Sequence, residues 1–484
     1  MMFGIRNLGK ASTIYAVGAF LTKSAKFLLI PIYVRYLTQA DVGTLVFLEA
    51  IAIAFSRIFH LGLGQAVKRF YLEYEDGREA DAFAASIWWV AFLIAGLGCG
   101  VLSFSASYWG LVLTKQVLPY YVVLAIVGAF LRSNFNIPLQ RFIIRGEPVK
   151  HGVFTALQFL TTTGLIIYLV VGESLGIEGV LWGEVVSYAL WTVVAAFIVM
   201  RPALPNFRKK EIVASIRFAV PVVPHLIFAW GITFVDRLIL ERFVTLEALG
   251  IYGIGYQLAS AISIISLAIV NAWISPFFKL AGKKEGPEEY RRILTYFCLT
   301  VFMITLVLVV LSREIIYIVA TAKYLESAII LRLVAVGLVF HGIYQALLLP
   351  LFYVQKTQWI SVVTGIAFFI NLGLNLTLIP KFGIYAAAVS TIGAYVVTAI
   401  LTYLFVQRFY RIEIEYRRIG LACGTAVGFW WLASWFSLDS ITESLLIKVS
   451  LLLLYPVFLF LFPGFFSGEE KKRITQLKYL FSTK

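Results

Sequence analysis

Apolar runs alternate with short polar or Gly/Pro-containing turns along almost the whole chain. A helix that crosses a bilayer needs about 20 predominantly apolar residues, and runs of that length predict fourteen helices. Their approximate cores are residues 12–34, 41–62, 83–107, 117–140, 151–171, 179–200, 214–240, 248–274, 292–312, 328–352, 359–379, 385–407, 419–437 and 445–463. The pattern is typical of an all-α integral membrane protein.

The turn that joins the first two predicted helices recurs later in the chain. Residues 35–43 read RYLTQADVG and residues 242–250 read RFVTLEALG, a shift of 207 residues. The same shift relates GIEG at 176–179 to GIYA at 383–386. We therefore expect two parallel six-helix repeats, related by an axis along the membrane normal as in several transporters. Chance matches between short apolar stretches are the alternative.

This repeat divides the chain into three parts. We expect an N-terminal six-helix lobe over residues 1–207 and a second six-helix lobe over residues 208–414. Residues 415–484 then hold the last two helices and a basic cytoplasmic tail. Pro221 and Pro224 fall inside the seventh predicted helix, where each removes a backbone hydrogen bond and bends the helix. Such a bend suits either a gate or a static kink.

Composition and charge indicate the same location. Hydrophobic residues make up 61% of the chain and charged residues 14%, with a mean hydropathy of +0.89. Soluble domains contain roughly 45–50% apolar and about 25% charged residues. Of the 41 Lys and Arg residues, 28 fall on one side when the N-terminus is placed in the cytoplasm. This bias predicts a multi-pass membrane protein with both termini in the cytoplasm.

The same distribution explains the net charge of +15 as mostly a topology signal. We therefore expect membrane lipids as neighbours and no nucleic acid. The sequence contains neither a GxxxxGK[ST] phosphate loop nor an HExxH metal motif. The three cysteines, Cys99, Cys298 and Cys423, are too far apart to form a recognisable metal motif. We expect no enzyme activity, no cofactor and no metal site.

Four charges lie inside the first two predicted helices. A charged side chain at a helix centre costs about 2.5–3.5 kcal/mol on insertion scales, so it usually faces a cavity or a partner. Lys23 and Lys26 are three residues apart and project from one face of the first helix. Glu49 lies at a similar depth in the second helix and can neutralise one lysine. Arg57 either adds to this site from the cytoplasmic side or snorkels to the headgroups.

The helices that flank the second copy of the turn lack charges at the four corresponding positions. They offer instead the hydroxyl, aromatic and amide groups of Tyr252, Tyr256, Gln257 and Asn271. We expect these side chains to line the second half of the cavity. The sequence thus predicts a cationic first lobe that faces a neutral, aromatic second lobe.

Other polar residues within the spans have less definite roles. An ion pair or a role in coupling is expected for Asp236, Arg237 and His225 of the seventh helix. Asp236 and Arg237 are adjacent near its outer end. The sequence does not decide whether Arg132 lines the cavity or snorkels. Three charged side chains near helix ends are expected to reach the headgroups: Glu184, Arg332 and Lys448.

Three segments carry a family resemblance that covers essentially the whole chain. They are PIYVRYLTQADVG at 31–43, Asp236 followed by LGIY at 249–252, and NLGLNLTLIPKFGI at 371–384. In these the chain resembles the polysaccharide transporter branch of the multidrug/oligosaccharidyl-lipid/polysaccharide (MOP) exporter superfamily, the O-antigen-type flippases. The resemblance implies two six-helix lobes around a central cavity and two appended helices. Lipid II flippases also place basic residues in their early helices, at positions similar to those of Lys23, Lys26 and Arg57.

The resemblance implies a flippase in a bacterial or archaeal cytoplasmic membrane. It would move an undecaprenyl-pyrophosphate-linked oligosaccharide from the cytoplasmic to the periplasmic or outer leaflet by alternating access, for cell-surface polysaccharide biosynthesis. Lysines and an arginine in a partly dry cavity would stabilise the pyrophosphate. The alternative is a small-molecule exporter of the multidrug (MATE) branch, although a net cationic site is poorly suited to cationic drugs. Polysaccharide polymerase or assembly proteins are possible partners, and the internal two-lobe plan favours a monomer.

Overall fold

The computed structural model describes residues 27–106, 108, 114–197, 205–283, 285–436, 441–468 and 470–471. These residues are almost entirely helical and contain no strand. In the first part of the chain the helices are α1 (Phe27–Tyr36), α2 (Gln39–His60), α3 (Leu63–Phe70), α4 (Gly77–Phe104), α5 (Pro119–Ile144), α6 (Pro148–Ile167) and α7 (Gly176–Ala195).

The second part of the chain continues the helical array. Its helices are α8 (Lys209–Ala219), α9 (Val223–Phe243), α10 (Leu246–Ala259), α11 (Ala261–Leu280), α12 (Gly286–Val310), α13 (Ser312–Ala320), α14 (Ser327–Tyr353) and α15 (Gln358–Phe409). The last two helices are α16 (Tyr416–Ser434) and α17 (Ile441–Leu461). Eleven helical stretches among the described residues are long and apolar enough to cross a membrane, which confirms an all-α multi-pass membrane protein.

The longest helix explains part of the difference between eleven stretches and the fourteen helices expected. α15 contains 52 residues, which at 1.5 Å each is about 78 Å, far more than the roughly 30 Å hydrocarbon layer. Gly383 interrupts it with φ 57° and ψ −135°. Leu374 Cδ1 lies 3.4 Å from the position of a Cβ at Gly393, so the two halves fold back on each other. Residues 359–379 and 385–407 are thus two antiparallel arms.

Two threonines begin corresponding helices. Thr38 caps α2 in a capping box, in which its hydroxyl accepts from Asp41 N at 3.1 Å and its own N–H donates to the Asp41 carboxylate at 2.9 Å. Thr245 caps α10 by accepting from Ala248 N at 3.3 Å. The threonine that recurs in the repeated turn is therefore the residue that starts the helix in both places.

Two glycines of the repeated turn let α2 and α10 cross in direct backbone contact. A Cβ at Gly43 would lie 1.8 Å from the Leu246 carbonyl oxygen, and a Cβ at Gly250 would lie 2.3 Å from that of Gln39. Both pairs of equivalent positions, 43 with 250 and 39 with 246, differ by 207 residues. Only residues without a side chain permit so close an approach. We call this contact the glycine crossing; it lies at the predicted outer end.

The other end of the bundle also joins the two halves of the chain. The Gly62 Cβ position lies 2.9 Å from the Ala219 carbonyl oxygen, so α3 packs on α8. The rings of Phe70 and Phe218 are 5.6 Å apart. The 3₁₀ turn Val220–Val222, which contains Pro221, separates α8 from α9. The expected interruption of the seventh helix is therefore present, next to the inner contact.

Buried charges fasten the last two helices to the rest of the protein. Lys448 of α17 donates to the Glu314 carboxylate of α13 at 2.5 Å, and both side chains are buried. Burial alone would raise the pKa of Glu314, but the hydrogen bonds from Lys448 and Ser444 lower it below its usual value. The expectation that Lys448 reaches the headgroups was wrong, because a carboxylate in the interior holds it. Arg332 also has an interior partner, since its Nε donates to Ser312 Oγ at 2.6 Å.

Candidate functional site

A cavity of about 490 Å³ lies between the two halves of the chain. α1, α2 and α5–α7 line it from the first half, and α9–α11, α14 and α15 line it from the second. Its charged lining residues are Glu49, Arg132, Glu184 and Arg237. A smaller cavity of about 100 Å³ adjoins it and extends between the helices of the first half, where Glu49, Arg132 and Glu184 again form part of the wall.

The structure places Arg132, whose position the sequence does not decide, and Glu184, which the sequence predicts at the headgroups, in the cavity wall. Both line both cavities, so the expectation that Glu184 snorkels was wrong. Arg132 also lies over the Tyr188 ring, with its guanidinium carbon 5.9 Å from the ring centroid. The carboxylates of Glu49 and Glu184 lie close enough to Arg132 to stabilise its charge. Each of these side chains is an isolated charge in an apolar helix. Only the packing of the helices shows that they line the same cavities.

Arg237 supplies the positive charge of the second half. Its guanidinium carbon lies 4.4 Å from the Tyr256 ring centroid, 4.6 Å from that of Phe234 and 5.7 Å from that of Tyr252. Cation–π contacts of this kind stabilise a desolvated cation by about 2 kcal/mol or more. The second half of the cavity is therefore aromatic, as expected, and a guanidinium group lines it as well.

Asp236 lies behind the cavity wall and holds Arg237 in place. The Asp236 carboxylate accepts from Arg237 N at 2.8 Å and pairs with the Arg237 guanidinium at 3.1 Å. The hydroxyl of Tyr252 donates to the other carboxylate oxygen of Asp236. Tyr256 and Tyr395 continue this group, with their hydroxyl oxygens 3.2 Å apart. The ion pair expected at residues 236 and 237 is therefore present.

The neutral polar wall of the cavity comes from several helices. Tyr256 and Gln257 line it as expected, together with Gln158, Thr162, Thr163, Ser260, Ser263, His341 and Gln345. Tyr252 is fully buried behind them and reaches the site through Asp236. Asn271 is exposed on α11 and is not among the lining residues. His225 is not among the lining residues either, and its Nδ1 lies 3.1 Å from Thr364 Oγ1 of α15.

The basic residues expected in the first two helices have different outcomes. Lys23 and Lys26 lie outside the described residues. Arg57 does not line either cavity, but it lies near enough to Arg132 for their charges to repel. Among the described lining residues, two carboxylates face two guanidinium groups, so the expected cationic excess depends on the lysines. The described part of the chain contains no group of three or more His, Cys, Asp or Glu that could hold a metal ion.

Comparison with known proteins identifies a matching family and solved structures with a similar fold. A family described as "Polysaccharide biosynthesis protein" matches residues 8–280. The structure is similar to that of the lipid II flippase MurJ in its inward closed conformation, with a TM-score of 0.74, 13% identity and coverage of 92% of this chain and 99% of MurJ. No curated protein sequence matches the chain.

Two further solved structures share the fold. An outward-facing multidrug resistance MATE family transporter of the MOP superfamily gives a TM-score of 0.59 at 16% identity, over 88% of this chain and 100% of the transporter. A MOP superfamily transporter from Pyrococcus furiosus gives 0.58 at 16%, over 87% and 99%. The chain belongs to the polysaccharide biosynthesis protein family and has the fold of the MOP superfamily transporters.

Proposed function

We propose that this protein is a flippase that moves a polyprenyl-pyrophosphate-linked oligosaccharide from the cytoplasmic to the outer leaflet by alternating access. The observation that carries the proposal is the charged, polar cavity between the two halves of a membrane protein of this family. A polar head group needs such a cavity, because hydrocarbon offers it no hydrogen-bond partners. The polyprenyl chain can stay in lipid while only the head group crosses.

The cavity wall fits the two chemical parts of this head group. Arg132 and Arg237 provide guanidinium groups, which bind phosphate oxygens through charge-assisted hydrogen bonds. Lys23 and Lys26 would add charge from the first helix. Glutamine, threonine and serine side chains on α6, α10, α11 and α14 offer donors and acceptors for sugar hydroxyls.

A path of basic side chains supports delivery from the predicted cytoplasmic end. Arg57 lies near Arg132, and His60 lies near both Arg57 and Lys68. Lys68 in turn lies near His151 at the start of α6. The positive charge on this route comes from Lys68, Arg57 and Arg132, because a neutral histidine attracts no anion, and such charge raises the local concentration of an anionic ligand and speeds its association. A pyrophosphate would be drawn along this path from the membrane surface to Arg132.

The finer architecture belongs to the same proposal. It comprises fourteen spans with both termini in the cytoplasm, two parallel repeats over residues 1–207 and 208–414, and appended helices in 415–484. The shared offset of the threonine caps and the glycine crossing supports the repeat. The substrate would be an undecaprenyl pyrophosphate oligosaccharide in a bacterial or archaeal cytoplasmic membrane. The protein would act as a monomer beside polysaccharide polymerase or assembly proteins.

The first test is genetic. In a strain that depends on this protein for surface glycan, Lys23→Ala with Lys26→Ala should abolish export while lipid-linked oligosaccharide accumulates on the cytoplasmic side. Membrane insertion, checked by immunoblot, should be unchanged. Export at the level of the unmodified protein in this double variant would show that the lysines are not part of the site.

A MATE-like exporter of small molecules is the second candidate. The carboxylates of Glu49 and Glu184 favour it, because they offer a cationic drug two acidic groups in the cavity wall. Overexpression should then raise resistance to cationic drugs, and Glu184→Gln should remove that resistance. A flippase predicts no change in drug susceptibility in either strain.

A further inference from the structure

The loop before α5 holds the end of α9 through hydrogen bonds between the two halves of the chain. Glu241 Oε1 accepts from Thr114 Oγ1 at 2.6 Å and from the backbone N–H groups of Lys115 and Gln116, both at 2.7 Å. The Gln116 amide donates to the carbonyl oxygens of Glu241 at 2.5 Å and Val244 at 2.9 Å. We call these five hydrogen bonds the Glu241 clasp.

The carboxylate in this clasp depends on the loop of the other half. Glu241 is fully buried, with 0% of its surface exposed. A buried carboxylate is costly unless hydrogen bonds compensate for lost water. Its Oε2 has no hydrogen-bond partner among the described residues, so all of the hydrogen bonds described to this carboxylate come from the loop. Separation of the two halves at this point removes every one of them.

The repeat supplies a weaker counterpart on the opposite side. The shift of 207 residues relates Gln116 of the loop to Lys323, and Gln39 at the start of α2 to Leu246 at the start of α10. Gln39 at the start of α2 donates to the Lys323 carbonyl oxygen at 2.8 Å. The position that corresponds to Glu241 is Val34, which offers no charge. The glycine crossing thus has a hydrogen-bonded loop on each side, but the Glu241 clasp is much the stronger.

We propose that the Glu241 clasp is the latch of the outer gate and that movement of α9 releases it when the cavity is occupied. Arg237, which lines the cavity, lies four residues before Glu241 on the same helix, and residues at this spacing share one face. A head group that displaces Arg237 therefore displaces Glu241 as well. The inference rests on the proposed function and on the predicted orientation of the helices.

Cysteine labelling on intact cells tests the latch. Val46 lines the cavity and touches Gly253, one turn deeper than the glycine crossing. In a variant without the natural cysteines, Val46→Cys should react slowly with a membrane-impermeant maleimide added outside. Glu241→Gln should raise this rate roughly tenfold, because a neutral amide accepts weaker hydrogen bonds from the loop than a carboxylate does. Gln39→Ala should raise it less.

The matched control is Glu247→Gln, a charge removal at an exposed position six residues further on. It should leave the labelling rate unchanged. Equal labelling of Glu241→Gln and the control, with both proteins present in equal amount, would overturn the proposal. If Glu241→Gln does not accumulate, Gln116→Ala makes the same prediction from the loop side.

A cross-link provides the complementary test. Gln116→Cys with Val244→Cys, joined by a short bismaleimide, should stop glycan export, whereas either single variant treated in the same way should export. Export that continues after complete cross-linking would overturn the latch. Failure of the purified protein to move lipid-linked oligosaccharide would contradict the proposed function instead, while the labelling difference would still report on the latch.

Discussion

The glycine crossing makes a sharp prediction for Gly43→Ala. The new Cβ would lie 1.8 Å from the Leu246 carbonyl oxygen, 2.8 Å from its carbonyl carbon and 3.0 Å from Gly250 N. All three are backbone atoms, so no side chain can rotate away. The methyl group therefore has to push α2 and α10 apart. A separation from 1.8 Å to at least 3.0 Å requires a movement of about 1.2 Å.

The size of the effect follows from this geometry. Overpacking of a closely packed contact costs typically about 1–3 kcal/mol, which changes an equilibrium by a factor of roughly 5–150. Since the crossing closes the predicted outer end, this cost falls on the outward-closed state. We expect Gly43→Ala to raise the rate of external labelling at Val46→Cys by a factor in this range, and Gly250→Ala to act in the same direction.

Two comparisons separate this effect from the general result of replacing glycine. Gly164 lies inside α6 with no atom within 4 Å of its Cβ position, so Gly164→Ala should only favour the helix, by about 1 kcal/mol. Gly43→Ala combined with Gly250→Ala should cost less than the sum of the single changes, because a single separation of α2 and α10 makes room for both methyl groups. Labelling of Gly43→Ala at the rate of Gly164→Ala would refute the reasoning.

Three further predictions concern buried charges and hydroxyls. Arg132→Leu should lower glycan export at least about tenfold, since a charged hydrogen bond contributes about 1.5–3 kcal/mol, and export by this variant at the rate of the unmodified protein would show that Arg132 has no part in binding. Tyr252→Phe removes a donor from the buried Asp236 carboxylate and should destabilise the protein by about 1–3 kcal/mol, seen as a lower Tm in detergent; an unchanged Tm contradicts it. Lys448→Met leaves Glu314 buried without its lysine and should lower the free energy of unfolding by about 3–5 kcal/mol. A double variant with Glu314→Gln should recover part of this loss, and a double variant no more stable than Lys448→Met alone would contradict the prediction.

The repeated turn shows how far the sequence could predict the fold. The recurrence of threonine and glycine at one offset favours a duplicated scaffold, and the structure gives each of these residues a physical role. Thr38 and Thr245 cap helices, and Gly43 and Gly250 permit the crossing. Both requirements are local or involve small residues, so they leave a visible pattern in the sequence.

The site was less predictable. The distance of Glu184 from a helix end predicts that it reaches the headgroup region, but the structure places it in the cavity wall. The sequence predicts that Tyr252 and Asn271 line the cavity beside Tyr256, yet Tyr252 is buried behind the cavity wall and Asn271 is exposed. In a helix that is apolar on all sides, the periodicity does not reveal which face is turned towards the cavity. The rotation of each helix depends on packing between distant segments.

The most direct test of the central claim is a flipping assay with the purified protein in liposomes. A fluorescent polyprenyl-pyrophosphate oligosaccharide is placed in both leaflets, and an impermeant reagent destroys the label in the outer leaflet. The account predicts that liposomes with the unmodified protein lose nearly all fluorescence, at a rate that Arg132→Leu lowers at least about tenfold. Protection of about half the label, as in protein-free liposomes, would contradict the claim that this protein moves lipid-linked oligosaccharides.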